Sequence, residues 1–351
     1  GLVESVGLLL SRPSPKRVVR VQFAVTWRCQ LRCAMCRIWE KPKTRELSID
    51  EIERIFSARD FLKSLLLVDI TGGEPFLRSD LAEIVRYFAV EFPKADILIT
   101  TNAYSVELTE RLGAKIVRAC SPERVEFSIS IDGSESVHDE LRGRAGSFRN
   151  ALESVRILKR LGATRITFST TLVPSNADQL LYIYRLAADE GVRFATARFA
   201  QSSFYYGQPE LSESDWSDDD LKRAEDGIER IIAERRRREG RSLRLARDAY
   251  FMRRAVQFQR DRVRRWKCYS GTHSFFIDPE ANIYPCVMLP KLLGNALTDD
   301  LGSIWFSRTA DDVRRFIAGG KCACYTECEA FLSMRRSARE VCRITLGALK
   351  L

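Results

Sequence analysis

The sequence predicts an α/β fold, with a partial (β/α)6 parallel barrel followed by a small cysteine-rich α+β domain that contains a β-hairpin. Two observations predict this architecture. Runs rich in Val, Ile, Phe and Thr alternate six times with helical patterns up to residue 200, which is typical of parallel βαβ units. From residue 266 onward this alternation stops, and Cys, Gly and Pro become more frequent. Six repeats favour an open barrel over a closed one of eight strands.

The six predicted strands and the helices between them follow in regular order. The first helical pattern covers residues 48–62 and begins with Ser48 and Glu51 at the spacing of a capping box. In parallel barrels, ligands gather at the carboxyl ends of the strands, so functional residues are expected there. The predicted strands are residues 19–27, 64–72, 94–102, 124–132, 165–173 and 193–200.

Four parts of the chain differ in composition. Residues 273–286 predict a hairpin with its turn at 279–282 inside the last part. The predicted parts are an N-terminal arm (1–17), the barrel (18–204), a charged helical connecting region (205–265) and the cysteine-rich domain (266–351).

The composition excludes several classes of protein. With 45% hydrophobic residues the chain is not globally disordered, and no apolar run reaches the roughly 18 residues of a membrane span. At the N-terminus the basic residues follow the apolar stretch, the reverse of a secretory signal, so a cytoplasmic location is expected. The net charge of +10 is concentrated in residues 229–254. A solvated helix face explains it most simply, with peripheral membrane contact or nucleic acid as alternatives.

Ten cysteines and only two histidines are the most informative count. Cysteines clustered at both ends of a chain without an export signal favour metal ligation or redox chemistry. With so little histidine, nearly all metal ligands would be thiolates, which indicates iron–sulfur clusters or all-cysteine zinc sites.

Cys29, Cys33 and Cys36 directly follow the first strand. Three thiolates can bind three irons of a 4Fe-4S cluster and leave the fourth iron open to a substrate or cofactor; a zinc site or simple burial is the alternative.

The segment TWRCQLRCAMCRIW (26–39) resembles the signature of the radical S-adenosylmethionine (SAM) superfamily. Gly72, Gly73 and Glu74 follow the second strand and resemble the segment that contacts the methionyl amino group of SAM in that family. The glycines would let the backbone approach the ligand, and the carboxylate could pair with the ammonium. The resemblance implies reductive cleavage of SAM to a 5′-deoxyadenosyl radical, which abstracts hydrogen from a substrate in the barrel.

Further segments at the strand ends continue this resemblance. SISIDG (128–133) is similar to the family segment that faces the SAM ribose and the substrate, and Arg142 is a plausible carboxylate partner. For His138, the alternative to a functional role is a structural one, as a helix cap or a surface residue. The residues that the resemblance implies for SAM binding are Met35, Ile38, Gly72, Gly73, Glu74, Thr101, Asn102, Ser130, Asp132 and Arg142.

The second cysteine group resembles the SPASM and twitch extensions of radical SAM enzymes, which carry auxiliary iron–sulfur clusters. The resemblance implies at least one auxiliary 4Fe-4S cluster, with two left open and a structural zinc knob as the rival. Cys342 and Cys120 are expected to be buried structural residues. Four of five cysteines are predicted to be the ligands: Cys268, Cys286, Cys322, Cys324 and Cys328.

The function favoured by the sequence is a radical SAM oxidoreductase that acts on a small metabolite, lipid or sugar precursor in a biosynthetic pathway. Its electron donor would be a protein such as flavodoxin or ferredoxin. A peptide maturase is the nearest alternative, although only 28 residues precede Cys29, too few for a leader-binding winged-helix domain. No cobalamin domain is expected to fit in the remaining length. A non-enzymatic zinc or nucleic-acid-binding protein is the alternative of another class, but no stable nucleic-acid partner is expected.

Overall fold

The computed structural model describes residues 14–43, 45–57, 60–195, 197–207, 216–334 and 337–350. The strands are β1 (Arg20–Thr26), β2 (Leu67–Gly72), β3 (Asp96–Thr101), β4 (Val125–Ser130), β5 (Ile166–Ser169), β6 (Thr171–Leu172), β7 (Arg193–Phe194), β8 (Arg198–Phe199), β9 (Ser274–Ile277), β10 (Asn282–Tyr284) and β11 (Gly294–Asn295). The helices are α1 (Ile49–Phe56), α2 (Leu81–Glu91), α3 (Val106–Ala119), α4 (Glu135–Arg142), α5 (Ser147–Arg160), α6 (Leu180–Asp189), α7 (Asp218–Glu239), α8 (Leu243–Asp261), α9 (Leu301–Trp305), α10 (Arg308–Ala318), α11 (Glu327–Met334) and α12 (Ala338–Lys350).

These elements confirm the predicted α/β class. The main sheet has the strand order β11-β10-β9-β1-β2-β3-β4-β5-β7, and its strands from β9 through β1 to β7 are parallel. Alternate strand residues such as Phe23, Ile70 and Phe127 pack with helix residues in one apolar core. Residues between them, on β1 to β5, line a common cavity on the other face. The sheet therefore curves as a partial barrel.

Local signals explain how the first helix begins. Ser48 accepts a hydrogen bond from the Glu51 backbone N–H, and the Glu51 carboxylate accepts from the Ser48 N–H, so the predicted capping box is present. The helix ends at Phe56, earlier than the pattern indicated. Ile52, Ile55 and Phe56 are buried on its inner face, which fixes the direction of the chain returning to β2.

The fifth and sixth predicted strands are each broken in two. Residues 165–173 form β5 and β6, and β6 pairs with β8 in a separate two-stranded parallel sheet. At the break, hydrogen bonds that involve side chains replace the regular strand pairing. The Thr171 N–H donates to Asp132 Oδ1 at 2.9 Å, and the Thr170 hydroxyl donates to the Ile131 carbonyl at 2.8 Å. These contacts turn the end of β5 toward the barrel rim.

The predicted hairpin is present, and it joins the barrel sheet. Strands β9 and β10 are antiparallel, while β9 pairs in parallel with β1. Asp278 Oδ1 closes the turn by accepting from the N–H groups of Glu280 and Asn282, both at 2.9 Å. Ala281 lies in the turn with φ +65°.

The boundaries given for the four parts of the chain stay a prediction, and residues 1–13 of the N-terminal arm lie outside the described residues.

The connecting region forms two long helices, α7 and α8. Ser217 and Asp220 form a capping box at the start of α7. Apolar residues of both helices pack with α6 and with the C-terminal helices in a second core. Arg236, Arg237 and Arg238 are exposed in the last turn of α7, where positive charge is favourable to the helix dipole. Among the helices that the structure describes, none has the length and apolar character to cross a membrane.

Candidate active site

Three cysteines of one loop meet at a cavity on the carboxyl edge of the barrel. Cys29, Cys33 and Cys36 all line this cavity, which we call the loop cavity. The loop between β1 and α1 is fixed by backbone hydrogen bonds from Ala34 to the Leu141 carbonyl (2.9 Å) and from Arg37 to the Tyr206 carbonyl (2.8 Å). Elements from two distant parts of the chain therefore determine where the three sulfurs lie.

The surroundings of these thiols are dry but contain hydrogen-bond donors. Burial raises the pKa of Cys29 to about 12, helped by the nearby Glu74 carboxylate, and raises that of Cys36 to about 11. Asn102 Nδ2 lies 3.8 Å from the sulfur of Cys29, and Arg142 Nη1 lies 3.9 Å from that of Cys33. Such thiols ionise when a metal binds them, and donors of this kind stabilise a bound iron–sulfur cluster.

Gly72 and Gly73 line the loop cavity, but a different contact explains why they are glycines. A Cβ at Gly72 would lie 2.3 Å from the Thr26 carbonyl oxygen, and one at Gly73 would lie 2.1 Å from that of Arg28. Gly72 also has φ +129°, a conformation that favours glycine. Both glycines are therefore required because the chain leaving β1 passes close to them. The sequence analysis had instead explained them by the close approach of the ligand.

Glu74 lies behind the cavity wall. It is 1% exposed and accepts hydrogen bonds from Thr101 Oγ1 at 2.6 Å, the Asn102 N–H at 2.8 Å and the Phe76 N–H at 3.1 Å. Burial raises its pKa. In this arrangement the carboxylate joins the ends of β2 and β3, and its contact with the SAM ammonium stays a prediction.

Asp132 also lies behind the wall, where it orients Arg142. It is fully buried and accepts from Arg142 Nε at 2.6 Å. The guanidinium of Arg142 lines the cavity beside Cys33. His138 Nδ1 accepts from the Asp132 N–H at 3.2 Å, and burial followed by the charge of Arg142 lowers the His138 pKa to about 4. His138 is thus a neutral structural residue, as its alternative interpretation had it.

The structure brings most of the predicted SAM residues together. Glu74 and Asp132 lie behind the cavity wall, and the others line the loop cavity: Met35, Ile38, Gly72, Gly73, Thr101, Asn102, Ser130 and Arg142.

Sequence reasoning missed the segment Gln201–Gly207, which follows β8. The Tyr205 hydroxyl is buried against Gly72, whose N–H donates to it at 3.1 Å and whose carbonyl accepts from it at 3.0 Å. It also lies 3.0 Å from Thr71 Oγ1. Tyr205 thereby fixes the glycine pair. The aromatic run Phe204 to Tyr206 directly after a strand was the available signal.

Four cysteines of the C-terminal region line a second cavity, of about 380 Å³, which we call the auxiliary cavity. Burial raises the pKa of Cys324 to about 12 and that of Cys286 well above its usual value. Arg264 Nη1 lies 3.5 Å from the Cys322 sulfur, and the Cys268 thiol donates to Ser270 Oγ at 3.2 Å.

The remaining cysteines differ in their surroundings. Cys328 belongs to α11, but its side chain lies outside the described part of the structure. Cys342 is exposed on α12, so the expectation that it is buried is wrong. Cys120 is buried at the end of α3, in keeping with a structural role.

The two cavities share a lining residue. Gln201 lines both of them. Its Nε2 donates to the Tyr325 carbonyl at 2.6 Å, and its Oε1 accepts from the Tyr325 N–H at 3.2 Å. Tyr325 directly follows Cys324. The auxiliary cysteines are therefore adjacent to the wall of the loop cavity.

The two donor sets fit iron–sulfur clusters of different kinds. In an iron–sulfur cluster each thiolate binds a different iron. Three thiols in the loop cavity would leave one iron without a protein ligand, whereas four thiols in the auxiliary cavity would complete a cluster.

Family comparisons agree with this geometry. Residues 24–187 match the model of the radical SAM superfamily, and residues 268–330 match that of the SPASM iron–sulfur cluster-binding domain. The chain belongs to the radical SAM superfamily and has a C-terminal SPASM domain. These two domains imply a SAM-binding 4Fe-4S cluster and auxiliary iron–sulfur chemistry. This membership speaks against the non-enzymatic zinc or nucleic-acid-binding alternative.

Curated relatives resemble the chain over different lengths. Mycofactocin maturase MftC of Mycolicibacterium smegmatis is 32% identical over 51% of this chain and 44% of its own length. The subtilosin biosynthesis protein AlbA of Bacillus subtilis is 26% identical over 81% of this chain and 59% of its own. An AdoMet-dependent heme synthase of Methanosarcina barkeri is 23% identical over 81% of both chains. The chain thus spans about half the length of the first two relatives.

A solved structure confirms the fold. Streptococcus suis SuiB bound to S-adenosylmethionine superposes with a TM-score of 0.65 at 17% identity, covering 86% of this chain and 68% of SuiB.

Proposed function

We propose that this protein is a radical SAM oxidoreductase that removes a hydrogen atom and one further electron from a small polar substrate. The observation that carries the proposal is that the loop cavity and the auxiliary cavity are neighbours that share the lining residue Gln201. If bound together, the cluster, SAM and an auxiliary cluster would supply one-electron cleavage of SAM for hydrogen abstraction and an acceptor for the remaining electron. An external donor of the flavodoxin or ferredoxin class would supply the first electron.

The residues of this chain have distinct parts in such a reaction. Cys29, Cys33 and Cys36 would hold the SAM-binding cluster, and Asn102 and Arg142 would donate hydrogen bonds to its sulfur ligands. Tyr205 positions the glycine pair on the opposite wall. The buried surroundings exclude water, which protects a reactive radical from side reactions.

The lining of the auxiliary cavity supports one choice of auxiliary ligands. Cys268, Cys286, Cys322 and Cys324 line one cavity, so they are the proposed set of four. Arg264 and Ser270 would orient two of these sulfurs. Contact between Gln201 and Tyr325 keeps this cavity next to the site of hydrogen abstraction.

A peptide substrate is the second candidate, and the comparisons favour it directly. MftC and AlbA are named as a maturase and a bacteriocin biosynthesis protein, and SuiB has been solved with its precursor peptide SuiA. The heme synthase relative, which the chain covers more completely, supports a small-molecule substrate instead.

An isotope-transfer experiment separates these candidates. Anaerobically reconstituted protein, SAM and dithionite are incubated with a cell extract from a fully deuterated culture, divided into small-molecule and peptide fractions. We expect the small-molecule fraction to yield 5′-deoxyadenosine that has gained one deuterium, measured by mass spectrometry. Transfer only from the peptide fraction would establish the maturase alternative. Failure to form 5′-deoxyadenosine at all would overturn the proposed function.

A further inference from the structure

The inner face of the barrel strands is polar. Parallel strands covered on both faces are ordinarily hydrophobic throughout. Here the outward residues Phe23, Ile70 and Ile99 are apolar and packed in the core, whereas most residues that alternate with them are polar or charged, with Leu98 as an apolar exception. The inward set includes Gln22, Asp69, Thr100, Glu126, Ser128 and Thr167. Packing alone does not explain this alternation.

These side chains enclose a cavity of about 160 Å³, which we call the lumen cavity. Thr71, Thr100, Arg198 and Tyr205 line both the lumen cavity and the loop cavity. The two spaces therefore adjoin inside the barrel.

Two buried acceptors in the lumen cavity lack a hydrogen-bond donor. Asp69 and Gln22 are each 4% exposed. Asp69 Oδ2 accepts from Arg20 Nη2 at 2.5 Å and from Gln22 Nε2 at 3.4 Å. Asp69 Oδ1 and Gln22 Oε1 have no donor within reach among the described residues. A buried polar atom without a partner is costly, so this wall is suited to a ligand that donates hydrogen bonds.

The charges around the lumen cavity favour a neutral ligand. Asp69 is already neutralised by Arg20. Glu126 accepts from Arg165 Nη2 at 2.8 Å and from the Thr167 hydroxyl at 2.7 Å. Arg198 lines both cavities, so a cationic group would have to pass a guanidinium. An anionic group would face Asp69 Oδ1 itself.

We propose that the lumen cavity binds a neutral, hydrogen-bond-donating group of the substrate, a hydroxyl or a carboxamide, through Asp69 and Gln22. This inference rests on the proposed function, because it names the class of substrate that enters the same barrel. The lumen cavity would fix the polar end of the molecule while the carbon that loses hydrogen lies in the loop cavity.

Three four-carbon probes test the proposal: erythritol, butylammonium and butanoate. Their binding to anaerobically reconstituted, SAM-loaded protein is titrated by saturation-transfer NMR without reductant. We expect erythritol to bind more tightly than either ion. Gln22→Met, which removes one acceptor at similar volume, should weaken erythritol binding about tenfold. Asp69→Asn, which presents an amide in place of the carboxylate, should do the same, whereas Leu66→Met, at an exposed residue outside the cavity lining, should leave it unchanged.

The outcomes are decisive in either direction. Equal affinity for the three probes, equal affinity of Gln22→Met and wild type, or no binding of erythritol would overturn the proposal. If Asp69→Asn fails to fold because Arg20 loses its partner, Gln22→Met still decides, since that residue has only a 3.4 Å contact to the pair. Formation of 5′-deoxyadenosine is measured separately with dithionite. Its absence would overturn the proposed function and leave the probe result readable.

Discussion

The loop cavity and the auxiliary cavity are both lined by buried or half-buried thiols, yet the sequence builds them in opposite ways. The three cysteines of the loop cavity lie within eight residues of one loop, Cys29 to Cys36. The four of the auxiliary cavity come from segments that tertiary packing brings together. Three thiols would leave one iron of a cluster without a protein ligand, whereas four would bind every iron. The polar residues beside each cavity then decide which further molecules can bind there. Four predictions test this comparison, starting with the largest effect.

The first prediction concerns the loop cavity. Cys33→Ala should abolish formation of 5′-deoxyadenosine from SAM, because two thiolates do not hold a cluster that cleaves SAM. The assay is chromatography of the nucleoside after reduction with dithionite. Cys342→Ala is the matched control, since Cys342 is exposed on α12, and it should retain wild-type cleavage. Persistent cleavage in Cys33→Ala would contradict the assignment of the loop.

The second prediction separates the two cavities. Cys268→Ala should lower the iron content from about eight to about four atoms per chain while uncoupled SAM cleavage continues. Iron and sulfide analysis of the anaerobic protein measures the first effect, and 5′-deoxyadenosine measures the second. Unchanged iron content would show that Cys268 is not a ligand.

The third prediction concerns the polar neighbours of the loop cavity. Arg142→Lys keeps the charge but loses the planar guanidinium that Asp132 orients. We expect the KM for SAM to rise about tenfold, the effect of losing roughly one charged hydrogen bond. Arg149→Lys on the exposed face of α5 is the control. An unaltered KM in Arg142→Lys would mean that this residue does not contact SAM.

The fourth and smallest effect concerns the hairpin that carries Cys286. Ala281 has φ +65°, so Ala281→Gly should relieve about 1 kcal/mol of backbone strain and raise the unfolding midpoint slightly. Ala296→Gly, at a buried alanine outside that conformation, should lower it. Thermal unfolding of the reconstituted protein distinguishes the two, and SAM cleavage should remain unaltered. A lower midpoint for Ala281→Gly would contradict the strain argument.

Local patterns made much of the barrel predictable. The capping box at Ser48, the order of the parallel strands and the cysteine loop each depend on residues close together in the chain. The broken fifth strand was not predictable, because its end bonds to Asp132, a residue of the loop after β4. The pairing of β9 with β1 escaped prediction for the same reason, since periodicity contains no information about which distant strands become neighbours.

Within the site, residue types were easier to predict than their roles. Glu74 and Asp132 are each buried behind the wall with several donors, and their contact with SAM stays a prediction. The choice of four auxiliary cysteines from five stays a prediction as well, because the Cys328 side chain lies outside the described part of the structure. Tyr205 and Gln201 act through hydrogen bonds to backbone atoms, and such contacts leave no local pattern in a single sequence.

The pairing of β1 with β9 has a consequence for synthesis on the ribosome. The first strand emerges long before its C-terminal neighbour at Ser274, so the edge of β1 that will pair with β9 stays solvated until then. Exposed strand edges invite association between nascent chains. This edge of β1 is therefore open to such association until translation has reached the hairpin.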